Sequence, residues 1–147
     1  MFATAASLVR CSKLASISKG SGLPTTPTIS IIDDDPWARE GIKDLVMSLG
    51  YCVLTFASAE EFMDSHGVDV TTCLITDLQM PGLSGLELQD YLVKRGHTFP
   101  IILVTAYPDE KYLARARDAG AFDFLTKPVD DKTLCRSLTA AVGLPIQ

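Results

Sequence analysis

The sequence predicts an α/β protein, with a parallel sheet of five strands covered by helices on both faces in three layers. Short apolar, β-branched runs alternate with longer stretches of helical periodicity from residue 28 to 143. Three of those runs are apolar nearly throughout, as strands buried on both faces must be. Right-handed crossovers leave few topologies for such a chain, and the strand order 2-1-3-4-5 is the expected one.

The elements follow in turn. TISII (28–32) is an apolar β run. Asp35 can cap the helix after it, Pro36 suits a first helical position, and Gly50 can end it. Ile42, Leu45, Val46 and Leu49 give that helix one apolar stripe. YCVLTF (51–56) is the second strand. Ser58 and Glu61 form a capping box for a short helix ending near Gly67. TTCLIT (71–76) is the third strand and stops at Asp77. Ser84 and Glu87 form another capping box, for a helix ending at Gly96. FPIILVT (99–105) is the fourth strand. A charged helix of weak apolar periodicity runs from Asp109 to Ala119, before Gly120. AFDFL (121–125) is a short fifth strand, and Asp130 or Asp131 opens a last helix carrying Leu134, Leu138, Ala141 and Val142. The apolar strands 1, 3 and 4 should be central.

The totals narrow the function classes. At 147 residues, 47% hydrophobic and 21% charged, the chain suits one soluble domain, here residues 28–143, with a short tail at 144–147. No apolar run approaches the about 20 residues needed to span a membrane, and no membrane partner is expected. Cys11, Cys52, Cys73 and Cys135 are widely spaced without C-x-x-C, which favours reduced thiols in the cytoplasm over disulfides or zinc. Residues 1–27 carry Arg10, Lys13, Lys19 and no acid, and are rich in Ser, Thr, Ala and Gly. They read as a disordered extension; a transit peptide or a start codon assigned too far upstream fits the same composition. The remaining residues hold all 18 acidic side chains against 10 basic ones, a balance that argues against direct nucleic-acid binding.

In a sheet of this kind, ligands bind beyond the carboxyl ends of the strands. Strand 1 ends at Asp33-Asp34, strand 3 at Asp77 and strand 4 at Thr105-Ala106, and strand 5 is followed by Lys127-Pro128. Each residue has a plain reading as well. The three aspartates 33–35 could be a solvated, helix-capping loop, Asp77 a loop residue, Thr105 a strand end and Lys127 a surface lysine. Together they suit acyl-phosphate chemistry. Carboxylates on separate loops bind a hard cation such as Mg²⁺, a carboxylate can be the nucleophile, and Lys127 and Thr105 can bind phosphoryl oxygens.

These residues carry a family pattern. IIDDD, ITDLQMPGLSGLEL, LVTAY and AFDFLTKP resemble the receiver domain of two-component response regulators, a CheY-like, flavodoxin-like fold. The run Asp77-x-x-Met80-Pro81-x-x-x-Gly85 is specific. Spacings of 43 residues from Asp34 to Asp77, then 28 to Thr105 and 50 to Lys127, are similar to those of the FixJ-like class. The resemblance implies that Asp77 accepts phosphate from a sensor histidine kinase. It implies Mg²⁺ ligation by Asp34, Asp77 and the backbone carbonyl of Gln79, with Asp33 acting through water. Lys127 would pair with the phosphoryl group, its bond to Pro128 being cis, and Thr105 would move towards the phosphate. Phe124 would turn inward after it, re-forming the surface of the fourth helix, fifth strand and fifth helix, where phosphorylated receivers commonly form homodimers or bind partners. Gln79 and Tyr107 occupy variable positions that tune dephosphorylation in the family.

The family reading makes the protein a signalling module with self-phosphorylation and autodephosphorylation chemistry only. It is either a stand-alone receiver or a fragment of a FixJ-like transcriptional regulator, because no DNA-binding segment follows. An aspartyl-phosphate phosphatase would want D-x-D where Asp77-Leu78-Gln79 stands. A flavodoxin-like cofactor module would want a Gly/Ser/Thr-rich phosphate loop where three aspartates stand.

Overall fold

The computed structural model describes residues 26–143; the segment read as an extension up to residue 25 and the tail 144–147 lie outside the described residues. Five parallel strands form one sheet in the order β2-β1-β3-β4-β5. They are β1 (Thr28–Ile32), β2 (Cys52–Phe56), β3 (Cys73–Asp77), β4 (Ile101–Thr105) and β5 (Asp123–Thr126). The helices are α1 (Pro36–Ser48), α2 (Ala59–Asp64), α3 (Gly85–Lys94), α4 (Glu110–Asp118) and α5 (Asp131–Val142), with a single helical turn at Gly67–Val70. The central strands are β1, β3 and β4, the apolar ones.

Alternation along the strands divides the core into two layers. Ile29, Ile31, Val53, Ile75, Ile102 and Val104 face α1 and α5, which contribute Ile42, Val46, Leu134 and Leu138. Ile32, Leu54, Phe56, Leu74 and Leu103 face the other way, onto Phe62 of α2, Leu88 and Leu92 of α3 and Ala116 of α4. Phe56 and Phe62 meet edge to face with centroids 5.2 Å apart. The helices start where their capping residues place them. Asp35, Ser58, Ser84, Asp109 and Asp130 each accept a hydrogen bond from a first-turn N–H, and Ser84–Glu87 forms the complete capping box.

Where the elements differ from the sequence reading, hydrogen bonds explain it. The helix after Ser58 stops at Asp64 because Ser65 Oγ donates to Phe62 O (2.7 Å) and accepts from Gly67 N (3.0 Å), and a separate turn follows. β3 begins at Cys73, since Thr71 Oγ1 donates to Gly67 O and takes the hydroxyl of buried Ser30. β4 begins only after Pro100, which has no N–H to donate. β5 begins at Asp123 because Ala121 N is still held by Ala116 O of α4. Thr26 and Pro27, read as the end of the extension, are buried, and Pro27 O accepts from Cys52 N.

α4 is the lightest-packed of the long helices. Ala116 is its one buried residue. The Ala116 carbonyl also accepts a hydrogen bond from Gln89 Nε2 of α3 at 3.2 Å. Gln89 is only 1% exposed and its Oε1 has no partner among the described residues.

Candidate functional site

Register brings the candidate residues to one edge of the sheet. Ile32 lies beside Thr76, so the next residues, Asp33 and Asp77, emerge as neighbours. Asp77 lies beside Val104, and Thr105 beside Thr126, so Thr105 and Lys127 arrive at the same end. Carboxylate oxygens of Asp33, Asp34 and Asp77 all lie within 4.8 Å of one another. Asp33 is 1% and Asp77 8% exposed, while Asp34 faces solvent. The Lys127 ammonium stands 3.0 Å from Asp77 Oδ2 and 2.8 Å from Asp33 Oδ2. The Lys127–Pro128 peptide is cis, as the resemblance implied.

The remaining contacts are local. Asp77 Oδ1 accepts from Gln79 N at 3.2 Å. Thr105 is 2% exposed, and its Oγ1 accepts from Tyr107 N at 3.1 Å; among the described residues no hydrogen bond joins it to Asp77. Ala106 is exposed. Phe124 is half-buried against the α2–α3–α4 layer, with the Arg117 guanidinium 6.0 Å from its ring centroid. Asp35 stands apart from the cluster: its Oδ1 accepts from Trp37 N as the helix cap.

One ammonium serves two carboxylates, and the titration of Asp77 and of Lys127 reflects that. Burial pushes the Asp77 carboxyl above its ordinary value; Lys127 opposes the rise and the Asp33 charge adds to it. Burial alone would lower Lys127, but its contacts with Asp33 and Asp77 outweigh burial and raise it. A lysine raised in the folded state contributes stability that is complete below its ordinary value of 10.5 and is lost as pH rises through the folded value. We therefore expect metal-free protein to lose stability in that alkaline window, and Lys127→Met to lose less there. Circular dichroism melts across pH on both proteins check this.

The site suits a divalent cation. Three carboxylates and one ammonium leave a formal charge of −2. The ammonium near Asp33 Oδ2 is close enough for an ion pair but is not aligned as a hydrogen-bond donor, so this buried oxygen keeps a free lone pair. All the donors are oxygens, two from the loop after β1 and one from the end of β3, the set a hard cation takes.

Two contributors escaped the sequence reading. The Arg39 guanidinium donates to Asp33 O at 2.6 Å. A cation so near a helix N-terminus opposes the helix dipole, and that was the available signal. Glu60 Oε2 accepts from Leu83 N at 3.1 Å, tying α2 to the loop beyond Asp77; nothing in its spacing marked it.

Comparison with known proteins agrees with this geometry. The family described as response regulator receiver domain matches residues 29–139. The chain is 38% identical over 117 residues to Nodulation protein W of Bradyrhizobium diazoefficiens, covering 80% of this chain and 52% of that protein. It is 38% identical over 122 residues to the transcriptional regulatory protein FixJ of Azorhizobium caulinodans, covering 82% and 57%. The chain thus spans about half the length of the curated relatives it matches. Among solved structures, FixJ-N superposes with a TM-score of 0.74 at 30% identity, covering 84% of this chain and 99% of that one. The response regulator StyR gives 0.73 at 36%, covering 80% and 60%.

Proposed function

Because the chain belongs to the response regulator receiver domain family, whose members take phosphate from sensor kinases, we propose that Asp77 is the phosphoacceptor of this protein. An Asp77 carboxylate oxygen attacks the phosphorus of a histidine kinase's phosphohistidine. The P–O bond forms, the P–N bond breaks, and the imidazole leaves. The observation that carries the reading is the shared Lys127 ammonium between Asp33 and Asp77 at the end of the two central strands. A cation there neutralises the charge gathered on carboxylate and phosphate. Asp34, Asp77 and the Gln79 carbonyl hold the Mg²⁺ in this proposal, with Asp33 acting through water. Lys127 keeps its charge at neutral pH and binds a phosphoryl oxygen in place of the Asp77 oxygen it now holds.

The switch belongs to the same proposal. The new phosphoryl group adds charge and acceptor oxygens. Thr105 turns towards it, and Phe124 moves into the space behind. Phe124 supports this by standing at the rim of the core, half-buried. The changed surface of α4, β5 and α5 then pairs with a second copy, for which the exposed ring of Phe122, just before β5, offers apolar contact. The protein thereby acts as a signalling domain with self-phosphorylation and autodephosphorylation as its chemistry. An output through a transcriptional effector, as in the FixJ-named relatives, is part of the proposal. So is a cytoplasmic location; among the described residues no helix is long and apolar enough to cross a membrane.

Incubation with acetyl phosphate and Mg²⁺ should add one phosphate, seen by intact-mass spectrometry, and excess EDTA should suppress it to background. Equal labelling with and without EDTA would refute the cation's part in the chemistry.

A further inference from the structure

We propose that Arg39 is a positioning residue of the acidic site, holding the Asp33–Asp34 peptide so that the Asp34 carboxylate stays beside those of Asp33 and Asp77. This rests on the cation reading above. Arg39 follows three aspartates within six residues, yet it forms no ion pair with any of them among the described residues. Its guanidinium is spent on a peptide oxygen, Asp33 O, at 2.6 Å. A residue placed to balance charge would pair with a carboxylate. This one pairs with none of the cluster's carboxylates among the described residues.

The loop shows what that bond holds. Asp33 N donates to Phe56 O at 3.2 Å, which ends the β1–β2 ladder. Asp35 N donates to Asp33 Oδ1 at 2.9 Å, and Arg39 N to Asp35 O at 2.9 Å. The Asp34 side chain has no hydrogen bond of its own among the described residues, so its direction depends on the peptides on either side. The peptide after it is fixed through Asp35 N by the Asp33 carboxylate. The peptide before it is fixed through Asp33 O by Arg39. Removing Arg39 frees one of the two restraints on the most exposed of the three carboxylates.

Positioning and charge make opposite predictions. Losing a positive charge beside the site should tighten cation binding. Losing a restraint on Asp34 should weaken it, and for Mg²⁺ more than for Ca²⁺, because Mg²⁺ demands near-ideal octahedral geometry and Ca²⁺ tolerates irregular shells.

Titration calorimetry of the whole chain with MgCl2 and with CaCl2 tests this on wild type, Arg39→Ala and Arg39→Lys. In Arg39→Ala the Mg²⁺ dissociation constant should rise about tenfold, the lower end of what lost outer partners of metal ligands cost. The Ca²⁺ constant should rise by less, and Arg39→Lys, which keeps a donor of similar reach, should recover part of the Mg²⁺ affinity. Equal or tighter Mg²⁺ binding by Arg39→Ala, with or without a lower melting temperature, would overturn the role of Arg39 and leave the cation reading standing. Absence of Mg²⁺ binding by wild type would overturn the cation reading itself. Should Arg39→Ala not fold, Arg39→Met keeps the apolar stem and carries the same comparison.

Discussion

Asp77→Asn is expected to take up no phosphate from acetyl phosphate and Mg²⁺, against full labelling of wild type. The change is nearly isosteric. The amide oxygen can still accept from Gln79 N or Lys127, the contacts that now hold the carboxylate at 3.2 and 3.0 Å. Burial penalises the ionised form of Asp77, so the neutral side chain should not lower the melting temperature. What is lost is the nucleophile, since a carboxamide is far less nucleophilic than a carboxylate. Neighbouring carboxylates are poor substitutes: Asp33 is fully buried beneath the ammonium and Asp34 stands on a separate loop. Intact mass after labelling reads the outcome, and undiminished uptake by the variant would remove Asp77 from the role.

Gly85→Ala is expected to destabilise the domain by about 1–3 kcal/mol, the usual cost of forcing a methyl group into packed structure. A Cβ at Gly85 would lie 2.5 Å from Asp77 O and 3.0 Å from Leu78 Cα. Both neighbours are backbone at the end of a central strand, so no side chain can rotate away. Gly85 N also donates to Leu78 O at 3.0 Å, which fixes how closely α3 approaches. The helix must retreat or the Asp77 peptide must shift. Thermal unfolding should show a melting temperature lower by about 4–12 °C for a domain of this size, and labelling of Asp77 should slow as well. An unchanged melting temperature would mean that α3 can move off the strand at no cost. The glycine that closes the Asp77-x-x-Met80-Pro81-x-x-x-Gly85 run is therefore explained by contact, with no need of unusual backbone angles.

The sheet was legible because its central strands had to be apolar on both faces. Ile29–Ile32, Cys73–Ile75 and Ile101–Val104 could occupy nothing but the middle, and the order followed. The grouping of the candidate residues was legible because Asp33-Asp34, Asp77, Thr105 and Lys127 end or follow different strands with complementary chemistry, and a parallel register gathers such residues at one edge. What escaped depended on contacts remote in sequence or on side chains doing backbone work. Ser65 breaks a helix through its own hydroxyl, and Thr71 is drawn from the strand by Ser30 and Gly67. Gln89 could have been noticed: with Gly85, Leu88 and Leu92 it completes a stripe at helical spacing, which places an amide in the core.

That amide has a mechanical consequence for α4. Gln89 and the burial of Ala116 grip the helix near its C-terminal end, while residues 110–112 are exposed. A rod held at one point is a lever, and the fulcrum here is the Ala116 carbonyl. Glu110 lies about 9 Å along the axis from it at 1.5 Å per residue. A tilt of about 10° would swing that tip by about 1.6 Å on this geometry while hardly stretching the Gln89 hydrogen bond. The long arm points back to the β4–α4 loop that follows Thr105, so a small change beside Asp77 is applied where the helix yields most.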